Sequence, residues 1–278
     1  MAKNNLRQTA TFNDYYSRLK NIALSVFEWE GLPETCNARF LEECLFKYGQ
    51  AIFVNDDRYG FLNLKVNASD SLNFYEEPIK YTAHSIGYGE KTFDRDKCVI
   101  VRNNYLCKST DSTALLYAEK LTKIDLAIQT NINAQKTPIL LRCDSKTKTS
   151  LEAIYRAYDG DNPVIFGHKA LQEKPVDAIS TGAPFVADKL RQEKTAEWNE
   201  YLEHVGINTN PSDKKKERLI VSEVDSNNES IDIQGEAMLL CRQQACEEAN
   251  KLFGWNCSVK LRVHEENEEG IVNGEVHN

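Results

Sequence analysis

Two long helical stretches with a short strand-rich segment between them constrain the fold of this chain most. The first stretch ends in an Asn- and Gln-rich run that leads straight into apolar residues, over 131–141. A second apolar run follows at 162–168, and Ala183-Pro184 then opens another helical pattern, since proline is well placed at the start of a helix. The sequence therefore predicts a small module inserted between two helices. An insertion of this kind is typical of a chain that forms part of a wall.

Apolar residues at three- and four-residue spacing predict the other helices. Thr11 followed by Asp14 resembles a capping box, and Asp111 is placed to cap a later helix. Glycines at 49, 206 and 254 are expected to end three of the helices. The predicted helices cover residues 11–30, 38–48, 111–134, 150–158, 185–205 and 229–253.

Short strands are predicted between the second and third long helices, over residues 51–107. Leu62, Leu64 and Val66 alternate with polar residues, which is the pattern of a half-buried strand. Asn103-Asn104 is typical of a hairpin turn. This region is expected to form a small antiparallel barrel or sheet.

Further strands are predicted at 139–142, 164–167 and 257–263. Residues 207–230 are rich in Asn, Ser, Asp and Lys, which indicates a mobile loop. The acidic tail from residue 265 is expected to be disordered.

The composition is that of an ordinary globular protein, with 41% hydrophobic and 27% charged residues. The formal net charge is −8. Because phosphate neutralisation by Lys and Arg supplies much of the affinity for DNA, such a chain is not expected to grip nucleic acid over its whole surface. Contact at a few local points stays open. No stretch is apolar enough to cross a bilayer or to form a signal-peptide core, so we expect no membrane and a cytosolic site of synthesis.

Residues that could support catalysis are sparse. The eight cysteines form no Cys-x-x-Cys, and the five histidines have no chelating spacing, so no metal site is predicted. Gly87-Tyr-Gly89 indicates a turn, and His168 at a strand end is expected to be structural. Glu28 and Glu30, in a helix, would point to different sides. We predict no enzymatic activity and no cofactor.

Basic residues cluster at two neighbouring places. One set lies in the predicted mobile loop, and the other lies on the helix before it. In a monomer these side chains indicate a solvated surface; in a ring, each would become a circle of positive charge. The residues are Lys189, Arg191 and Lys194 on the helix and Lys214, Lys215, Lys216 and Arg218 in the loop.

Several separated motifs, in one order, carry a resemblance to a known family. They are Phe27-Glu-Trp-Glu-Gly-Leu-Pro33, Phe40-Leu-Glu42, Asn133-Ala-Gln-Lys-Thr-Pro138, Pro163-Val-Ile-Phe166, Ala183-Pro184 with Asp188-Lys-Leu190, Trp198-Asn-Glu200, Lys215-Lys-Glu-Arg218 and the stretch 245–260. Over residues 12–262 the chain resembles the portal protein (head–tail connector, or upper collar protein) of small short-tailed phages with protein-primed replication, the Picovirinae type.

The resemblance implies an α+β portal fold with long stem helices, a small mixed α/β clip and a wing that contains an SH3-like, barrel-like β region. It divides the chain into consecutive parts. These are wing helices 1–50, wing β region 51–110, stem helix 111–135, clip 136–182, stem helix 183–206, channel loop 207–230, wing helix and strand 231–264 and tail 265–278.

The same resemblance implies a dodecameric ring at one capsid vertex. Its channel passes double-stranded DNA, without regard to sequence, during packaging and ejection. The implied partners are the major capsid and scaffolding proteins, the packaging ATPase and the lower collar or tail protein. The implied location is the virion, with the host cytoplasm during assembly.

Two departures from the family pattern stand out. Relatives have a densely basic N-terminus that helps to hold a packaging RNA, whereas only Lys3 and Arg7 precede Arg18 here, which weakens the case for RNA binding. A channel lysine of relatives corresponds to Ser180, while Lys189 matches the second one.

Two other classes of function stay open on the sequence. A lower collar or head-completion ring would share oligomerisation, but it would lack the helix–module–helix order. A monomeric enzyme would need a catalytic set, and the residues above do not supply a coherent one.

Overall fold

The computed structural model describes residues 2–68, 71–85, 87–135, 139–143, 164–168, 176–178, 183–207 and 221–262. The chain divides into two compact units. The first comprises residues 1–16 and 116–200, and the second comprises 17–115 and 201–278. The division falls within three helices, α1 (Ala2–Ser25), α3 (Asp111–Gln135) and α4 (Ala187–His204).

A five-stranded antiparallel sheet forms the core of the second unit, as the alternating pattern predicted. Its spatial order is β5-β4-β3-β2-β6. The strands are β2 (Gln50–Asp56), β3 (Gly60–Ala68), β4 (Lys80–Ser85), β5 (Gly89–Asp94) and β6 (Cys98–Arg102). Ile52, Leu64, Val66 and Ile100 pack together on one face, and burial of these apolar surfaces stabilises the sheet.

The chain after β6 does not turn back as a hairpin, so that prediction for Asn103-Asn104 is wrong. The Asn104 side chain accepts hydrogen bonds from the backbone N–H groups of Leu106 and Lys108. These bonds hold a tight loop that leads into α3. The carbonyl of Thr110 accepts the first bond of that helix from Ala114, so the cap lies one residue before Asp111.

The N-terminal helix is displaced from its predicted bounds. α1 covers Ala2–Ser25, so Thr11 and Asp14 lie inside it and form no capping box. Phe27–Glu30 is instead strand β1, paired antiparallel with β10 (Ser258–Leu261). Consequently Glu28 and Glu30 share a face, and Lys260 lies 2.6 Å from Glu30 and 3.9 Å from Glu28.

The second helix has the predicted bounds, α2 (Ala38–Tyr48), because both of its ends are capped. The Asn37 side chain accepts from the Phe40 N–H, which satisfies one of the helix's free donors. Gly49 adopts φ 78°, and a Cβ there would lie 2.1 Å from the Cys107 carbonyl oxygen. Glycine is therefore required at this helix end.

The last helix, α5 (Val221–Phe253), is longer than predicted. The sequence pattern places its first residues in the loop 207–230, and that prediction is wrong from Val221 onward. α5 ends before Gly254, as predicted, and it passes close to the end of α4. There Gly206 and Gly235 touch backbone to backbone, so that a Cβ on Gly235 would lie 2.9 Å from the Gly206 Cα.

Buried thiols are spread through the second unit. Cys44 and Cys241 are free thiols with 2% and 4% of their surface exposed. Burial raises the pKa of Cys44 to about 11. These thiols are therefore protonated at neutral pH.

The first unit contains most of α3 and α4 and a three-stranded sheet between them in the chain. The strands are β7 (Ile139–Cys143), β8 (Val164–His168) and β9 (Val176–Ala178), in the order β8-β7-β9. β7 is parallel to β8 and antiparallel to β9. The predicted helix 150–158 and the tail from 265 lie outside the described residues.

Candidate functional site

The helices α3 and α4 pair along their length in the first unit, and this pair is the candidate site. Three sets of contacts connect them, through residues 120, 125 and 131 of α3. Their partners on and before α4 are residues 197, 194 and 184, so the order is reversed. The two helices therefore run antiparallel, with the β7–β9 module inserted at one end.

Asn131 closes the end of the pair from which the inserted module departs. Its side-chain nitrogen donates to the Pro184 carbonyl at 2.9 Å, and its oxygen accepts from the Val186 N–H at 3.0 Å. One turn further, the Gln135 side chain donates to the Ala183 carbonyl at 3.0 Å. The Asn131 oxygen thus satisfies a backbone N–H that the start of α4 leaves free, and the two donated bonds hold the segment that leads into the helix.

Lys194 forms an ion pair across the middle of the helix pair. Its Nζ donates to Asp125 at 2.7 Å and lies 5.3 Å from the centre of the Tyr15 ring. The Tyr15 hydroxyl donates to the other Asp125 oxygen. Burial lowers the pKa of Lys194, but hydrogen bonds with Asp125 and Tyr15 outweigh it and the net pKa is raised.

Tyr15 belongs to α1, so this cluster ties three helices of the first unit together. Burial, followed by the hydrogen bond to Asp125, raises the pKa of Tyr15. The tyrosine is therefore neutral and keeps its proton for the bond. The raised pKa values of Tyr15 and Lys194 keep both donors protonated at neutral pH.

A second cross-pair joins Lys120 and Glu197 at 2.8 Å. The hydrogen bond to Glu197 raises the pKa of Lys120 and keeps it charged. The lysine also lies 4.7 Å from the centre of the Tyr117 ring. Because its side chain is 37% exposed, the pair contributes modestly to stability.

The structure separates the basic residues that the sequence grouped. Lys189 and Arg191 lie exposed on α4, while Lys194 is held by Asp125. Lys214, Lys215, Lys216 and Arg218 lie outside the described residues. Of the predicted basic residues that the structure describes, Lys189 and Arg191 are therefore exposed, and Lys194 is in an ion pair.

Comparison with known families identifies the family of this chain. The model of the Phage Connector (GP10) family matches residues 2–265. The chain belongs to this connector family. Its resemblance to portal proteins, predicted from separated motifs, is therefore confirmed.

Solved phage structures provide a comparison for the fold of this connector. It is similar to a chain from the portal and tail of native bacteriophage P68, with a TM-score of 0.52 and 13% identity over 96% of this chain and 92% of that chain. For an HK97 family phage portal protein from Corynebacterium diphtheriae, the TM-score is 0.43 and the identity 10%, over 91% of this chain and 94% of that chain. For a chain from the virion of a native gene transfer agent particle, the TM-score is 0.47 and the identity 10%, over 91% of this chain and 80% of that chain. Only the first score exceeds 0.5, and it supports the α+β portal fold.

The connector also contains a buried ion pair that sequence reasoning missed. Arg242 on α5 donates to both carboxylate oxygens of Glu42 on α2, at 2.9 and 2.8 Å. Its remaining N–H groups donate to the Asn103 carbonyl and side-chain oxygens and to the Met238 carbonyl. All five donors of the guanidinium are thereby used.

The surroundings of this pair are equally specific. The Arg242 guanidinium lies 3.8 Å from the centre of the Phe27 ring, and the Trp29 indole N–H donates to Glu42 at 2.8 Å. Asn103 continues the network by donating to Thr110 before α3. The one signal in the sequence was a charged Glu42 inside the apolar face of α2.

A second buried acid, Asp56, organises the turn between β2 and β3. It accepts hydrogen bonds from the Tyr88 hydroxyl at 2.6 Å, from Lys91 at 2.9 Å and from the backbone N–H groups of Arg58 and Tyr59. These bonds, that of Tyr88 first, hold the pKa of Asp56 far below its usual range. The carboxylate is therefore fixed in its charged form.

The connector's described residues do not assemble a metal site. No group of three His, Cys, Asp or Glu side chains in those ranges could hold a metal ion. Nor does any helix among them combine the length and apolar character needed to cross a bilayer.

Proposed function

We propose that this connector is the portal of a phage head, a ring of identical subunits at one capsid vertex through which double-stranded DNA is packaged and ejected. The observation that carries the proposal is the antiparallel α3–α4 pair with a small β module inserted at its end, in a chain that matches the connector family from residue 2 to 265. A ring of such pairs would form a tube of helices with the inserted modules at one mouth.

The division into functional parts follows the same proposal. Residues 111–135 and 183–206 are the stem, 136–182 the clip and 207–220 the channel loop. Residues 1–110 and 221–264, with the five-stranded sheet and α5, are the wing, and residues 265–278 are the tail. The clip is expected to dock the packaging ATPase and later the lower collar or tail, while the wing is expected to contact the capsid and scaffolding proteins. A copy number of twelve is the family-based expectation.

The charge distribution suits a channel in which DNA slides. Each phosphate contact adds affinity and would slow translocation, so a wall for moving DNA needs few of them. A net charge of −8 per chain disfavours general adhesion. Lys189 and Arg191 are exposed on α4 and could offer weak contacts at fixed heights, while Lys194 is committed to Asp125. Phosphate contacts read no sequence, which suits a channel that passes any genome.

Electron microscopy of the purified protein, with light scattering for mass, tests the ring. We expect annular particles with a central hole wide enough for a DNA duplex. A chain that remains monomeric at high concentration, also in the presence of its scaffolding protein, would contradict the proposal. Rings without an open centre would favour a head-completion role.

The DNA-contacting residues are tested in assembled rings. Replacing both Lys189 and Arg191 with Ala should leave the ring intact and reduce the salt dependence of duplex binding, by about 0.9 in the log–log slope for each phosphate that is no longer neutralised. Lys123→Ala is the matched control, because that exposed lysine pairs with Glu119 on α3. Equal slopes for both variants would exclude the α4 cations from the channel.

The predicted channel loop has its own test. Replacing Lys214, Lys215 and Lys216 together with Ala should leave ring assembly intact and alter retention of DNA late in packaging. The measurement is the length of DNA protected from nuclease in filled heads. Failure of the variant to oligomerise would show that these lysines serve the ring's structure.

A further inference from the structure

The loop between β3 and β4, residues 71–79, presents an aromatic tip to solvent. Phe74 and Tyr75 are 103% and 84% exposed. These are the two most exposed large apolar side chains among the described residues. A side chain as exposed as Phe74 makes no packing contact within its own chain, and two adjacent exposed aromatics are typical of a binding surface.

The tip is rigidly built. The Asn73 side-chain oxygen accepts from the N–H groups of Tyr75 and Glu77, and its backbone N–H donates to the Glu77 carbonyl at 2.8 Å. Leu72 pairs with Pro78 at the base of the loop. Glu76 takes a left-handed backbone with φ 60°, which the surrounding bonds must stabilise. The backbone that carries the two aromatic side chains is therefore ordered before any partner arrives, which lowers the entropic cost of binding.

A groove in the same unit has matching properties. It encloses about 560 Å³ between the loop 104–113 and the α5 residues Ala237 and Met238. That volume lies within the range of pockets that bind ligands, about 300–1,000 Å³, and an aromatic side chain fits inside it. Its rim carries Leu106 and Tyr105, which are 77% and 60% exposed.

The two surfaces complement each other in apolar area and in charge. The three most exposed large apolar side chains of the described residues, Phe74, Tyr75 and Leu106, all belong to the tip or the groove. The tip carries the exposed acid Glu76, and the groove carries the exposed base Lys108. A heterologous contact between different surfaces of identical subunits generates a closed ring when the rotation closes.

We infer that the aromatic tip of one subunit inserts into the 104–113 groove of its neighbour and joins adjacent wings. This inference rests on the proposed ring and names the residues that would hold it together. Phe74 and Tyr75 fill the groove beside Met238, and Glu76 pairs with Lys108 across the interface. The partner of the tip is therefore a second copy of this chain.

The first experiment removes the tip without touching the core. In the Phe74→Ser/Tyr75→Ser double variant, we expect unchanged circular dichroism but half-assembly of rings at a protein concentration about tenfold or more above wild type, as for an interface hot spot. Tyr59→Ser is the matched control, because Tyr59 is a 43% exposed aromatic in the turn between β2 and β3, outside both surfaces. Mass photometry over a concentration series gives the comparison.

A charge exchange tests the pairing directly. Glu76→Lys and Lys108→Glu should each weaken assembly, and the double variant should regain it, since like charges across an interface repel. A double variant that assembles no better than the worse single variant overturns the pairing. Both outcomes are read from the same concentration series.

Crosslinking identifies the surface that the tip touches. Tyr75 is replaced by the photoreactive residue benzoylphenylalanine, and isotopically heavy and light copies are mixed before assembly. We expect crosslinks between heavy and light peptides that join position 75 to 104–113 or 237–238. Crosslinks only within one chain, to another surface, or to capsid protein in whole heads overturn the inference. If wild type forms rings and the tip variant matches it, only this inference fails; if wild type forms none, the proposed ring itself fails.

Discussion

Replacement of Arg242 by Met is the most informative stability test that the structure offers. Both members of the Arg242–Glu42 pair are buried, with 2% and 3% of their surface exposed. Met keeps the unbranched apolar stem of the side chain but removes the guanidinium, so that among the described residues the Trp29 indole N–H is the one donor left to the buried Glu42 carboxylate. It also strips donors from the Asn103 oxygens.

The expected cost follows from that loss. Removing one partner of a buried ion pair costs about 3–5 kcal/mol, because the other charge stays buried without compensation. A domain is stable by about 5–15 kcal/mol in total, so the variant should still fold but unfold at clearly lower denaturant. Arg95→Met is the matched control: its ion pair with Glu248 is 40% and 46% exposed and should cost less than about 1 kcal/mol.

Urea unfolding followed by tryptophan fluorescence measures both variants, at one fixed low protein concentration because assembly adds stability. The Glu42→Met variant and the double variant complete a cycle. The loss in free energy of unfolding should be at least about 2 kcal/mol smaller for the double variant than the sum of the losses for the two single variants, because the double variant leaves no unpaired charge. Additive costs, or a cost for Arg242→Met below about 1 kcal/mol, would refute the reasoning.

Three further predictions concern other parts of the chain. The pKa of Asp56 is lower in the folded protein than in the unfolded chain, so its charge stabilises the fold above the unfolded pKa, and this contribution is lost as the pH falls below that value. In the Asp56→Asn variant, the urea concentration at half-unfolding should therefore decrease less between pH 6 and pH 3 than it does in wild type. Gly235→Ala should cost about 1–3 kcal/mol in urea unfolding by overpacking, while Gly87→Ala, with open space around it, should cost almost nothing. Asn131→Ala should speed hydrogen exchange at the Val186 amide about tenfold, for a lost hydrogen bond of about 1–1.5 kcal/mol.

Each of these has an outcome that would contradict it. A decrease between pH 6 and pH 3 as large in Asp56→Asn as in wild type would mean that another carboxylate controls acid unfolding. Equal costs for Gly235→Ala and Gly87→Ala would exclude the close approach as the cause. Unchanged exchange at Val186 would show that its amide is protected without Asn131.

Elements governed by local signals were predictable from the sequence. The bounds of α2 follow from its apolar spacing and from Gly49, and β3 follows from the alternation of Leu62, Leu64 and Val66. The helix–module–helix order around residues 139–178 also came from local patterns. In each case the residues that decide the structure are neighbours in the chain.

Features that depend on pairing between distant parts of the chain were not predictable from local sequence patterns. Phe27 and Trp29 continue the apolar spacing of α1, but pairing with Val259 and Leu261 draws them into a strand. The Glu42–Arg242 pair joins residues 200 positions apart, and neither residue signals the other. For the candidate site, the sequence grouped Lys194 with Lys189 and Arg191, because spacing along a helix does not reveal that Asp125 of another helix binds it.

The closure formed by Asn131 and Gln135 has an evolutionary consequence. Among the described residues, side-chain bonds between α3 and residues 183–186 fix where the inserted segment leaves and re-enters the helix pair, and these bonds lie outside the segment itself. Substitutions, insertions or a wholesale exchange within the segment would leave that closure in place. Under the proposed function, related phages could therefore refit the clip to a different docking partner while inheriting the rest of the chain unchanged.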